Sequence, residues 1–231
     1  MPGHGRSGGG QSIRSAVMAS DQDNTRVFPI GHYVGAYLDD EQGQQGHHEV
    51  RLGVNVVEVD NDTFRLWALA HGIPDQLSED ATWGRQQIID AATTAGITNA
   101  EASIENGINQ GLLVEVAPGP DAAVEFATRY RLVPLMLGLG NSAEEPGLYG
   151  IGLFGQPFLH VNSMVYSLWE WAHLDRNLWE ACETFAQVEA QAGAQEPDET
   201  DPHKILENFL VAIHGLLSVN AAYLDESLGP Q

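Results

Sequence analysis

This 231-residue sequence has one cysteine and one lysine. Cys182 alone excludes an internal disulfide, so nothing argues for an exported, cross-linked chain. Lys204 and nine arginines face 32 acidic residues, for a net charge of −22. Basic side chains are what displace counterions from a nucleic-acid backbone, and their scarcity counts against a nucleic-acid partner. The acidity is spread along the chain: residues 21–146 hold 20 acidic and 6 basic side chains, and residues 147–231 hold 12 and 2. No apolar run approaches the roughly 20 residues of a membrane helix, and no stretch combines the n-region and h-region of a secretory signal. The cytoplasm is the expected compartment. Zinc-protease and cysteine-rich metal spacings are also missing.

What the sequence does contain is a recurrence. Leu66-Trp67-Ala68-Leu69-Ala70-His71 returns as Leu168-Trp169-Glu170-Trp171-Ala172-His173, 102 residues later, and Gly111-Leu112-Leu113 returns as Gly215-Leu216-Leu217. Two landmarks in the same order predict one folding unit used twice.

Residues 1–24 are rich in Gly, Ser and Gln and read as a disordered arm. Residues 31–37 read as extended, and a polar connection at 39–47 leads to a strand over 48–60, in which Val50, Leu52, Val54 and Val56 alternate with other residues. Asp60-Asn61-Asp62 opens a first helix that ends at Gly72. A second helix runs from Thr82 to Gly96. Thr98 and Glu101 spell a capping box before a third, which ends at Gly111. Leu112–Val116 and Val124–Leu132 read as the two strands of a hairpin.

In the second half, Asn162 or Ser163, Asn177 and Asp201-Pro202 each mark a helix start, but too little chain follows Ser218 for a second hairpin. The expected fold is α+β, mainly α: two tandem winged-helix-like units, the second with a reduced wing. Unit one covers 25–138, a connection 139–149, and unit two 150–231. The missing wing leaves a surface for unit one or for a second chain, as in a homodimer.

Chemistry-bearing patterns are few. Gly150, Gly152 and Gly155 spell the dinucleotide fingerprint, but Gln156-Pro157 and a short strand follow where a helix N-terminus is required. His47-His48-Glu49 is the densest histidine cluster, yet neighbours on a strand point to opposite faces. His71 and His173 fall at helix ends, where the last carbonyls and the helix dipole account for them. Cys182, flanked by Glu183 in a helix, reads as a small core residue. Trp67 and Trp169 read as core, and Trp171 as an aromatic available to cover the other unit. No catalytic residue, cofactor or metal is expected.

Residues 48–116, a strand followed by VEVDNDTFRLWALAHG and two helices ending in INQGLLVEV, resemble the PqqD-like domains that present precursor peptides to modifying enzymes. The resemblance implies a non-catalytic winged helix that binds a peptide as an added strand. The groove would lie between Val54, Val56 and Val59 on one side and Ile104 and Ile108 on the other. The leading expectation is therefore a protein or peptide partner. The alternative is a DNA-binding regulator that reads bases with Asn106 and holds phosphates with Arg85, Arg129 and Arg131.

Overall fold

The computed structural model describes residues 24–39, 44–77 and 82–229, so all of the arm expected at 1–24 except Asn24 lies outside the described residues. Four helices begin where the sequence supplies a capping oxygen. The side chains of Asp60, Asn162, Asn177 and Asp201 accept hydrogen bonds from the backbone N–H groups of Thr63, Val165, Glu180 and His203. Each satisfies a donor that the helix leaves without a partner.

The chain begins with strand β1 (Arg26–Pro29) and the antiparallel meander β2 (His32–Asp39), β3 (Gln44–Leu52) and β4 (Asn55–Val59). Helices α1 (Asn61–Ala70), α2 (Arg85–Thr94) and α3 (Ala100–Asn109) follow. Strand β5 (Leu113–Val116) then returns to pair antiparallel with β1. After helix α4 (Pro120–Arg129) come strand β6 (Tyr130–Pro134) and a second meander, β7 (Leu137–Asn141), β8 (Tyr149–Leu153) and β9 (Gln156–Val161). Helices α5 (Ser163–Trp171) and α6 (Leu178–Ala192), the single turn α7 (Pro197–Thr200) and α8 (Pro202–Ser218) complete the helical part. Strand β10 (Ala222–Glu226) pairs antiparallel with β6. Helices and sheets are both substantial, as an α+β chain requires, and the order strand, meander, helices, strand occurs twice.

Several local expectations are corrected. Residues 124–132 are not the return strand of a hairpin: Ala123, Phe126, Ala127 and Tyr130 are the buried, helically spaced face of α4 and the start of β6, and Gly119-Pro120 is a helix start. Residues 139–149 are not a connection between units, because they hold the end of β7 and the turn into β8, which pairs with it. Beyond Ser218 a single strand, β10, follows rather than a hairpin, and the three-stranded sheet of this part of the chain is the β7–β9 meander that precedes its helices. The strand expected over 48–60 is two strands, with Gly53 at φ +54° in the turn between them. The Thr98 capping box does not form: Asn99, in the left-handed conformation, is the N-cap of α3 and makes no side-chain cap.

One continuous set of buried residues runs through both halves. Trp67 and Trp169 both belong to it, and their indole N–H groups donate to the carbonyls of Ile30 (3.0 Å) and Ala221 (2.8 Å). In the middle, Phe28 of β1 stacks on Phe126 of α4 (5.0 Å between ring centres) and on His214 of α8 (4.6 Å). Trp171 is 58% exposed and does not cover the other half.

Candidate functional site

The first meander ends in an open edge. β4 pairs with β3 in unbroken register from Leu52↔Asn55 to His48↔Val59, and among the described residues no strand lies on its other side. Leu52 and Asn55 flank a two-residue turn and form the hydrogen-bonded closing pair. By antiparallel alternation Asn55, Val57 and Val59 then bond to β3, while the N–H and C=O groups of Val56 and Glu58 point outward. The same alternation sets the side chains. Val59 is 4% exposed and joins the core, while Val56 on the opposite face is 52% exposed. On the inner face, His48 stacks on Phe64 of α1 at 3.9 Å and hydrogen-bonds the Tyr33 hydroxyl at 3.1 Å, which seats the sheet on that helix.

The second meander handles its corresponding edge differently. β9 carries Pro157, which has no N–H, and its register with β8 shifts between Ile151 and Gly152. Proline and register breaks are common devices against unwanted strand pairing, and β4 has neither.

The turn before β4 is held by residues far along the chain. Asp225 of β10, 1% exposed, accepts from the Gly53 N–H at 2.8 Å. Its other carboxylate oxygen lies 3.4 Å from Arg51 and 3.3 Å from Arg131. Arg51 also donates to the Gly53 carbonyl (2.8 Å) and to the Tyr223 hydroxyl (2.7 Å). One buried carboxylate thus serves the turn, a cation from β3 and a cation from β6.

The residues expected to form a peptide groove are not brought onto one surface. Val54, at the tip of the turn, is 96% exposed, and with Val56 it is on the surface. Val59 and Ile104 are core residues, and Ile108 packs partly buried against that core. The reason is periodicity: on β4 every second residue turns inward, and on α3 Ile104 faces α1 and α2.

The residues expected for DNA contact are dispersed, and their cations are engaged. Arg85 pairs with Glu115 (2.8 Å) and Glu105 (2.7 Å), and the Glu115 hydrogen bond is the main influence holding its pKa above the ordinary arginine value. Arg131 faces Asp225. Arg129 sits 3.8 Å from Glu125 on the same helix. Asn106 is exposed on α3. Arg129 and Arg131 lie on α4 and β6 rather than on a wing.

The outer face of the sheet beside β4 carries His47, Glu49 and Glu58, whose ligand atoms all lie within 4.8 Å of one another. Glu58 was not suggested by the local sequence, since it meets Glu49 only through the β3–β4 register. A divalent cation could be held there by one nitrogen and two carboxylates. Cys182 is fully buried, and burial, with Glu183 and Asp175 adding to it, pushes its thiol pKa up to about 12. His71 keeps the expected contact with a helix-end carbonyl, Nδ1 to Trp67 O at 3.0 Å. Burial lowers its pKa to about 4, so the ring is neutral and the helix dipole has no charge there to act on.

The chain matches no protein-family model, no curated protein and no solved structure. Among the described residues no helix is long and apolar enough to cross a membrane.

Proposed function

We propose that this chain is a non-catalytic binding protein built from two related winged-helix-like units, and that it takes an extended peptide as a fourth strand on the outer edge of β4. The observation that carries this reading is the contrast between the two edges: β4 is regular and open, whereas β9 is interrupted by Pro157 and a register shift. Strand addition draws affinity from main-chain hydrogen bonds and selectivity from alternate side chains. Val54 and Val56 offer apolar contact, and Glu49 and Glu58 on the same face, with Asp60 beyond it, favour a peptide that alternates apolar and basic residues. The twice-used order of elements and the recurring LWxxAH support a duplicated unit. The engaged arginines and the net charge of −22 favour a peptide over DNA.

Val56→Pro tests this directly. It removes an outward-facing N–H and leaves the ladder to β3 intact, because proline is tolerated where a strand's N–H faces solvent. Peptides selected from a random displayed library against the native chain are expected to be rich in Lys and Arg. They should bind the proline variant at least about tenfold more weakly, with its thermal unfolding little changed. Equal binding by a folded Val56→Pro chain, or a library that yields no binders while genomic DNA shifts on a low-salt gel, would overturn the proposal.

A further inference from the structure

A cleft of about 580 Å³ opens where β1, the β5–α4 connection and α8 meet. It is remote from the β4 edge, with which it shares no residue. Its size falls among those of small-molecule sites. Val116, Ala123, Leu206 and Leu210, each less than 10% exposed, form an apolar floor. Four charged side chains line it, and three of them have partners. Asp201 caps its own helix by accepting from the His203 N–H, and Lys204 pairs with Glu207 at 2.7 Å. Arg26 is the exception: half-buried, it has no hydrogen bond and no carboxylate within 4 Å among the described residues. Burial pushes its pKa down and Glu207 offsets this only at a distance. Arginine stays protonated in proteins, so this is a permanent cation partly withdrawn from water, with only the distant Glu207 to compensate it.

Gly119 and Pro120 line the same cleft, and there α4 begins without a side-chain cap, leaving first-turn N–H groups that favour an anion.

We propose that this cleft binds a small amphiphilic anion, an apolar body on the Val116–Leu210 floor with one carboxylate or phosphate on the Arg26 guanidinium. The apolar part gains by leaving water, and the anion supplies the partner that Arg26 lacks. The overall negative charge of the protein keeps affinity modest and makes it depend on this one cation.

Decanoate, decyl phosphate and decanol, titrated into the full chain by calorimetry and by methyl NMR, test the assignment. At least one of the two anions is expected to bind about tenfold or more tightly than decanol and to shift the methyl signals of Val116, Leu206 and Leu210; the tighter anion identifies the head group. Arg26→Gln should weaken the anion by about tenfold, and Arg26→Lys, which keeps the charge, should restore most of the loss. Unchanged thermal unfolding of both variants separates ligand loss from misfolding. Decanol binding as well as the anions, an Arg26→Gln chain that binds normally, or methyl shifts confined to other regions would overturn the assignment. None of these outcomes bears on the β4 edge.

Discussion

Asp225→Ala is expected to destabilise the protein by about 3–5 kcal/mol, the usual cost of removing one partner from a buried ion pair. The carboxylate is 1% exposed and has four donors: the Gly53 N–H, the N–H of Glu226 at 3.1 Å, Arg51 and Arg131. Its loss leaves Arg131 only 19% exposed and without its anion, with a buried Nε that already has no acceptor among the described residues. It also removes the direct bond from Gly53 to β10, leaving the turn tied there through Arg51, which bonds the Gly53 carbonyl and the Tyr223 hydroxyl. Asp225→Asn separates charge from shape: it can still accept from Gly53, and it should lose less than the alanine variant. Urea unfolding of the three proteins reads the ranking. If the alanine variant loses less than about 1 kcal/mol, as an exposed ion pair would, the buried network does not hold the two halves as described.

Acid should weaken the protein as pH falls below about 6.5, through buried histidines. His214 is 5% exposed, its Nε2 donates to the Val27 carbonyl at 2.9 Å, and burial lowers its pKa to about 4. The folded ring is therefore neutral, while in the unfolded chain it protonates near 6.5. Below that value the unfolded state binds the extra proton, so stability is complete above about 6.5 and drains away as pH falls toward about 4. From pH 7 to pH 5 the loss from His214 comes to about 2 kcal/mol, or about 4–8 °C in unfolding temperature for a chain of this size. His71, whose pKa burial also lowers to about 4, adds in the same direction. His214→Gln keeps a donor for the Val27 carbonyl and removes the titration. Its unfolding temperature should therefore change less over this range than the native chain's. Parallel pH profiles for the two proteins would show that His214 is not buried in the neutral form.

The parts legible from sequence were those set by neighbouring residues. Asp60, Asn162, Asn177 and Asp201 mark helix starts because a cap acts within three residues. The turn at Gly53-Val54 was hidden because VNVVEV keeps alternating after it and Val54 carries no turn signal. Helix α4 was read as a strand because Val124, Phe126, Thr128 and Tyr130 also alternate, and that period competed with the helical one at Ala123, Phe126, Ala127 and Tyr130. With 124–129 helical, β5 has no return strand there and pairs with β1 instead, a partner more than 80 residues away that local pattern cannot show. At the candidate site, alternation put Val54 and Val56 in phase with Val50 and Leu52, but the turn at Gly53-Val54 reverses the phase, so Val50 and Leu52 are buried while Val56 is exposed. Asp225 was invisible in advance because it meets Arg51 across 174 residues, a matter of how the two halves pack.

Amide hydrogen exchange along β4, with and without a selected peptide, tests strand addition most directly. Val56 and Glu58, whose N–H groups face outward, should exchange quickly in the free protein and slow markedly with peptide, while Val57 and Val59, already bonded to β3, should change little. Protection that appears elsewhere, with Val56 and Glu58 still exchanging at their free rates, would contradict the account.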